Sequence, residues 1–165
     1  GFCIHQCLES LFEPLQGKLQ IKWTNDIIFS ERKLGGILCH YQPIKRTYII
    51  GVGLNTNNEI DSELGKFGAT NLKSILGFEV SNSMLCHQII KTVEDNCKYM
   101  ENVVSYLTYC NENLFGRGKL ALIEMGGINI EAEILGIDHN GALMVRNNWG
   151  ELIFVHTGSI LESLD

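Results

Sequence analysis

Several absences narrow the class of this protein. No apolar run approaches the roughly 18–20 residues of a membrane-spanning helix, so no membrane partner is expected. The opening Gly1-Phe2-Cys3-Ile4-His5 has neither a basic start nor a small-residue cleavage site, and no signal peptide is legible. It also lacks an initiator methionine, so a fragment or trimmed chain is expected. No Cys-x-x-Cys occurs among the six cysteines, Cys3, Cys7, Cys39, Cys86, Cys97 and Cys110. Most of them sit where a small hydrophobe fits a periodic pattern. A chain of 165 residues needs no staples, so reduced thiols in a cytoplasmic setting are expected. Cys39-His40 and Cys86-His87 make poor metal pairs, because neighbours on a strand face opposite ways and neighbours on a helix diverge by about 100°; no metal site is expected. There is no Walker loop and no Gly-x-Ser-x-Gly elbow. Gly51-x-Gly53 lacks the third glycine and the following helix of a dinucleotide fingerprint. Basic charge is scarce as well: 13 Lys and Arg stand against 19 Asp and Glu, a net charge of −6 that disfavours a nucleic-acid partner.

What is present describes a folded domain. Hydrophobic residues make up 45% and charged residues 19%, which excludes disorder as the default state. The charge is uneven. Residues 17–47 hold six basic and two acidic residues, whereas residues 116–165 hold three and seven. A basic zone inside an acidic protein suits a small anionic ligand better than a long polyanion.

Ile4, Leu8, Leu11, Phe12 and Leu15 recur at helical spacing until Pro14-Leu15-Gln16-Gly17 ends the pattern. Leu19 to Trp23, Asp26 to Ser30, Lys33 to Tyr41 and Tyr48 to Asn55 read as strands, with Ser30-Glu31-Arg32 as a three-residue turn and Pro43 as an interruption. Thr70 is a candidate cap for a short helix over Asn71 to Leu76, closed by Gly77. A longer amphipathic helix is expected from about Ser83 to Asn111, capped by Ser81 or Ser83. The texture changes near residue 115. Leu120 to Met125, Ile128 to Ile137, Ala142 to Arg146 and Leu152 to Val155 read as strands, with a fifth over Ser159 to Leu161. Gly126-Gly127 and Asn140-Gly141 are hairpin signals. The expected fold is α+β: a mainly antiparallel sheet with helices packed on it over residues 1–115, then a small all-β barrel over residues 116–165.

Four features stand out, three of them strand motifs and the fourth the tripeptide Gly116-Arg117-Gly118. Lys22-Trp23-Thr24-Asn25-Asp26 joins two strands through a polar corner. In Arg32-Lys33-Leu34-Gly35-Gly36-Ile37-Leu38 a lysine enters an apolar strand beside two glycines. Gly51-Val52-Gly53-Leu54-Asn55 again places glycines inside a hydrophobic strand. Strand glycines are often bulges, and a strand lysine is ordinarily a surface residue; glycines there also admit a ligand close to the backbone. On adjacent strands the three motifs could face one pocket.

In this order and spacing, the motifs resemble those of biotin–protein ligases, which write them as Lys-Trp-Pro-Asn-Asp, Lys-Leu-x-Gly-Ile-Leu and Gly-x-Gly-x-Asn. Ile137-Asp138-x-x-Gly141-Ala142-Leu143 resembles a hairpin of the family's small C-terminal barrel. The resemblance implies a partial class II synthetase-like ligase domain. It implies that ATP and biotin give biotinyl-5′-adenylate and pyrophosphate, and that a lysine of a biotin carboxyl carrier protein then takes the biotinyl group; Mg²⁺ is expected with ATP. It assigns Lys33 to the biotin carboxylate and the phosphoryl oxygen, and Gly36, Gly51, Gly53 and Leu54 to biotin. Asn25, Asp26, Lys33 and Asn55 fall to ATP and the adenylate, and Asp26 to orienting or deprotonating the incoming lysine. Thr24 stands where the family has proline. The family's glycine- and arginine-rich loop has no counterpart here, and Gly116-Arg117-Gly118-Lys119 falls after the long helix, in the wrong place. The C-terminal part of a ligase is therefore expected, inactive alone and with a missing N-terminal segment as partner. A homodimer is possible within the family. The alternatives are a lipoate–protein ligase-type enzyme and a non-catalytic remnant that binds a carrier domain or a partner half.

Overall fold

The computed structural model describes residues 1–60, 68–97 and 103–164. Helix α1 (Phe2–Leu11) buries Ile4, His5, Cys7 and Leu8, and a 3-10 turn over Glu13–Leu15 drives Leu15 into the same core. Four antiparallel strands follow, β1 (Leu19–Lys22), β2 (Asp26–Phe29), β3 (Arg32–Gln42) and β4 (Thr47–Leu54), paired in chain order. The β2–β3 connection is tighter than the sequence suggests. Ser30 and Glu31 both take positive φ, 47° and 64°, and Arg32 already belongs to β3. That is the two-residue turn whose twist matches the flanking strands.

One face of this sheet is closed by α1 and by two further helices, α2 (Leu72–Leu76) and α3 (Asn82–Cys97), around Leu8, Leu15, Ile27, Leu34, Leu72 and Leu85. The cap of α2 is Asn71 and not Thr70: the Asn71 side chain accepts from the Ser74 amide at 2.6 Å. Gly77 ends the helix in the left-handed conformation. Ser81 faces the start of α3, its hydroxyl 3.4 Å from the Met84 amide. The single helix expected from Ser83 to Asn111 is seen as α3 and as α4 (Val103–Glu112); residues 98–102 between them lie outside the described residues.

The texture change near residue 115 marks the passage from α4 to a second sheet, built from β5 (Leu120–Met125), β6 (Ile128–Ile137), β7 (Leu143–Asn147), β8 (Leu152–Val155) and β9 (Ser159–Ser163). Gly126 and Gly127, at φ 60° and 85°, turn β5 into β6. The expected barrel is not closed. The strand order is β8-β7-β6-β5-β9, with β8 and β9 at opposite edges and no ladder joining them among the described residues. These edge strands have only four and five residues, which leaves little length to tilt around and meet.

The two sheets share structure at the junction. The Ile21 amide donates to Asn113 O at 2.8 Å and the Phe115 amide to Ile21 O at 2.9 Å, so the connecting chain runs along β1. Trp23 and Ile28 pack into the second sheet's core with Ile123, Ile134, Leu143 and Val145. The Trp23 indole donates to Gly141 O at 2.9 Å.

Candidate functional site

On its other face the first sheet packs Ile28 against the second sheet and leaves the part over β3 and β4 open. On this face, Lys33, Asp26 and Gly36 meet, and the reason is a bulge. Ile27 pairs with Gly35, yet Ile28 pairs with Lys33, so Leu34 is an extra residue on β3. Strict alternation would have sent Lys33 to the helix-covered face with Gly35. The bulge lets Leu34 bury completely in that core and turns Lys33 to the open face. The backbone on both sides of the bulge is held: the Lys33 amide donates to Gly68 O at 3.3 Å and its carbonyl accepts from the Thr70 amide at 3.0 Å.

There the Lys33 ammonium lies 2.7 Å from an Asp26 carboxylate oxygen. Gly36 lies opposite Asp26 on the neighbouring strand. A Cβ at position 36 would stand 3.0 Å from the Asp26 carboxylate and 3.5 Å from Lys33 Nζ, so a side chain here would crowd the ion pair. Gly51 and Gly53 continue the floor on β4. A Cβ at either would touch nothing closer than 3.8 Å within the chain, so their missing side chains leave the trough open above the sheet rather than relieve internal crowding. Asn25 borders the trough, fixed through its side-chain amide to Ile37 O at 2.7 Å and through its carbonyl to the Ile37 amide at 2.8 Å. With Ile37, Leu38 and Val52 these residues line a trough of about 420 Å³, within the size range of small-ligand sites.

Two expected members stand elsewhere. Leu54 pairs with Gly35 and therefore turns to the covered face, where it lines a groove against α3. Asn55 lies just past the end of β4 and outside the trough lining. Its amide donates to Leu34 O at 2.9 Å, its carbonyl accepts from the Leu72 amide, and its side chain lies 3.5 Å from that of Asn58. Arg32, exposed beside Lys33, does not line the trough.

Sequence reasoning passed over Lys22 as a site residue. It pairs with Asp26 across the corner and is almost fully buried, with Nζ 5.9 Å from the centre of the Phe115 ring. Burial pushes its pKa down; Asp26 opposes that shift and Lys33 adds to it. The signal was available, because a three-residue corner between antiparallel strands sets residue 22 opposite residue 26. Asp26 therefore sits among two lysines, one buried and one half-exposed.

Residues 4–57 match the model of the biotin/lipoate A/B protein ligase family. The likeness to that family is carried by this segment. The bifunctional ligase/repressor BirA of Bacillus subtilis is 30% identical over 138 residues, which is 79% of this chain and 42% of that protein. The chain thus spans less than half of this curated relative. Among solved structures, the apo biotin protein ligase of Aquifex aeolicus superposes with a TM-score of 0.82 at 22% identity, covering 96% of this chain and 70% of that one. The same enzyme solved in complex with biotin and ATP gives 0.81. The matched segment contains all three motifs, and the structural likeness extends through the second sheet.

Proposed function

We propose that this chain supplies the catalytic lysine face of a biotin–protein ligase. The reaction joins the biotin carboxylate to the α-phosphate of ATP, releasing pyrophosphate, and then passes the biotinyl group to a lysine of a biotin carboxyl carrier protein, releasing AMP. The observation that carries this reading is the Lys33–Asp26 pair set over a glycine floor.

Two anions must come together in the first step, and negative charge builds between them. A cation already held in place favours that arrangement without reorganising at the moment of reaction. Lys33 provides the charge and Asp26 aims it. Gly36, Gly51 and Gly53 would let the flat ring system of biotin lie against backbone. Asn25, Asp26 and, at the end of β4, Asn55 would border the nucleotide. In the second step Asp26, released from Lys33 as the ammonium engages the adenylate phosphate, would accept the proton of the attacking amine. Leu54 drops out of the biotin contacts, since it faces the α3 groove.

ATP ordinarily brings Mg²⁺. No group of three His, Cys, Asp or Glu placed to hold an ion exists among the described residues, and Asp26, the carboxylate in the trough, is paired. The ion would come bound to the triphosphate, and no step here runs through it. All six cysteines are free thiols, which supports a cytoplasmic setting. No helix among the described residues is long and apolar enough to cross a membrane. Residues 116–165 would brace the site through Trp23, and a further ligase segment would be needed to cover the trough.

Calorimetry with a sulfamoyl analogue of biotinyl-adenylate tests the site. Weak binding to this chain, lost in Lys33→Ala with the fold intact by circular dichroism, is expected. Equal binding to both chains would remove Lys33 from the site. Comparing biotin- with lipoate-dependent ATP–pyrophosphate exchange, after the remaining ligase segment is supplied, separates the lipoate reading. Failure of both exchanges with retained carrier binding leaves the non-catalytic one.

A further inference from the structure

The helices behind the first sheet bring together thiols that the trough does not use. Helices α1 and α3 pack side by side and run in opposite directions. The Cys7 thiol is within hydrogen-bonding reach of the Thr92 side chain, and the Asn96 side-chain amide lies 3.5 Å from Gln6 Oε1. One turn back along α1 from Cys7 is Cys3, and a little over one turn forward along α3 from Thr92 is Cys97. The packing of the two helices therefore sets Cys3 beside Cys97. Both line one cavity of about 180 Å³, together with Phe2, Asn96 and Tyr106.

The walls of this cavity are held by contacts of their own. The Tyr106 hydroxyl donates to Asn96 O at 3.1 Å. The Phe2 ring packs on the rings of Tyr106 and Tyr109, 4.8 Å between centroids in each case. Cys97 is exposed and is the last residue of α3, whereas Cys3 is half-buried. Burial pushes the Cys3 pKa up, with Cys97 and then Cys110 adding to the rise. In such a pair the accessible thiol meets the oxidant, and the sheltered one resolves the product before it is oxidised further.

We infer that Cys3 and Cys97 are a peroxide-oxidisable pair that closes to a disulfide between α1 and α3. The Cys97 thiolate attacks one oxygen of hydrogen peroxide, the O–O bond breaks, and a sulfenic acid forms with release of water. The Cys3 sulfur then attacks the Cys97 sulfur, the S–O bond breaks, and a second water leaves. The two thiols give up two electrons and two protons, and the peroxide takes both. A small-molecule thiol reverses the bond by exchange. In a chain whose cysteines are all free, a pair of this kind is a redox sensor and not a staple. The bridge joins helices on the covered face of the sheet, so it locks the helix layer and leaves the trough untouched. The inference stands without the ligase reading. Cys110 is the competing partner: it also lies near Cys3, but on α4 and outside the cavity lining.

The test treats the dilute, reduced chain with one equivalent of hydrogen peroxide, blocks the remaining thiols with an alkylating agent and maps the unreduced digest by mass spectrometry. A loss of two hydrogens is expected, with fragmentation joining Cys3 to Cys97. Cys3→Ser and Cys97→Ser should each abolish this bridge. Cys86→Ser, at an exposed thiol in the groove between β4 and α3, should leave its yield at the wild-type level. The bridge closes a long loop between helices already in contact, so the melting temperature should rise by about 5–10 °C over the reduced chain and fall back with dithiothreitol. A Cys3–Cys110 bridge, a bridge between two chains, or further oxidation of Cys97 with Cys3 left free overturns the inference. So does a Cys3–Cys97 bridge that fails to raise the melting temperature, since the native packing would then not place the two thiols together.

Discussion

The two sheets treat their apolar residues differently. In the second, Ala121 and Ile123 on β5, Ala132 and Ile134 on β6, Leu143 and Val145 on β7 and Val155 on β8 are completely buried. In the first, β4 has no buried residue along its whole length, although it carries Tyr48, Ile49, Ile50, Val52 and Leu54. The second sheet is finished within these residues, and its core is sealed in part by Trp23 and Ile28, which belong to the hairpin that carries Asp26. The first sheet is packed on its helix-covered face; on the other, the second sheet covers Trp23 and Ile28 and leaves the β3–β4 part bare. The packed second sheet holds the hairpin that carries Asp26, and the trough lies over the part of the first sheet left uncovered.

That contrast is broken most directly by truncating one residue in each sheet. Leu143→Ala should cost about 2–5 kcal/mol, the range for a buried leucine whose surroundings cannot collapse. Ile49→Ala, on the exposed side of β4, should stay within about 0.5 kcal/mol. Urea unfolding of the two variants decides it. Similar losses would mean that β4 is packed in solution and that its edge is not free.

The second test asks whether the open face is a working site. If the proposed function holds, then with the remainder of a related ligase supplied Lys33→Ala should slow biotin-dependent ATP–pyrophosphate exchange by about 10²–10³, the usual loss for one preorganised charge at such a centre. Urea stability should barely change, because a half-exposed ion pair is worth about 0–1 kcal/mol. Near-normal exchange would move the chemistry away from the trough. A large stability loss would make the pair structural.

Much of this was legible in the sequence, and the failures have physical causes. Strand positions followed from period-two runs between glycine and asparagine turns, and the three motifs lay close enough in the chain for hairpins alone to bring them together. The bulge at Leu34 was not legible, since nothing in Lys33-Leu34-Gly35-Gly36 says which residue is extra; only the demand of Leu34 for the core decides it. Leu54 was misplaced for the matching reason, being counted with Gly53 although one step along a strand reverses the face. Barrel closure was unreadable because strand runs fix pairing between neighbours and not whether the first and last strands meet. Lys22 was missed by reading the corner as a string of motif letters rather than as a hairpin with a register.

The junction between the sheets gives a smaller effect. The Asn111 side chain both donates to Ile137 O at 3.1 Å and accepts from the Ile137 amide at 2.6 Å, tying α4 to the end of β6. It fits because residue 136 is glycine: a Cβ there would approach the Asn111 side-chain oxygen to 2.7 Å. Asn111→Ala leaves both backbone groups without that partner and should cost about 1–3 kcal/mol. A plain linker near residue 115 would make Asn113 to Gly118 the first point of proteolytic cutting. Leu114 and Phe115 are instead buried and bonded along β1, so intact protein should resist cutting there. Asn111→Ala should expose the segment to trypsin at Arg117 more than to any cut within β5–β7. Unchanged digestion would show that the bonds to β1 suffice.

The smallest expected effect concerns pH and the covered face of the first sheet. His5 is completely buried, with Nε2 3.0 Å from Leu19 O and Nδ1 2.8 Å from the Tyr109 hydroxyl. A carbonyl can only accept, so Nε2 carries the hydrogen, and in the neutral ring Nδ1 accepts from Tyr109. Burial, with smaller contributions from Glu9 and Cys110, raises the Tyr109 pKa to about 12. An acid whose pKa is higher in the folded state than in the unfolded one favours the fold while it is protonated. That contribution is whole below the unfolded value of 10.0 and fades as pH rises from there through about 12. The wild-type chain should therefore lose stability to alkali over this window, and its tyrosinate absorbance should show one late-titrating group. Tyr109→Phe keeps the ring against Phe2, 4.8 Å between centroids, but removes the ionisable hydroxyl. It should flatten the alkaline slope and start slightly less stable at neutral pH, since the buried imidazole loses a donor. An unchanged slope would place the alkali-sensitive group elsewhere, and not at Lys22, whose lowered pKa predicts the opposite sign, a gain in stability as rising pH relieves its buried charge.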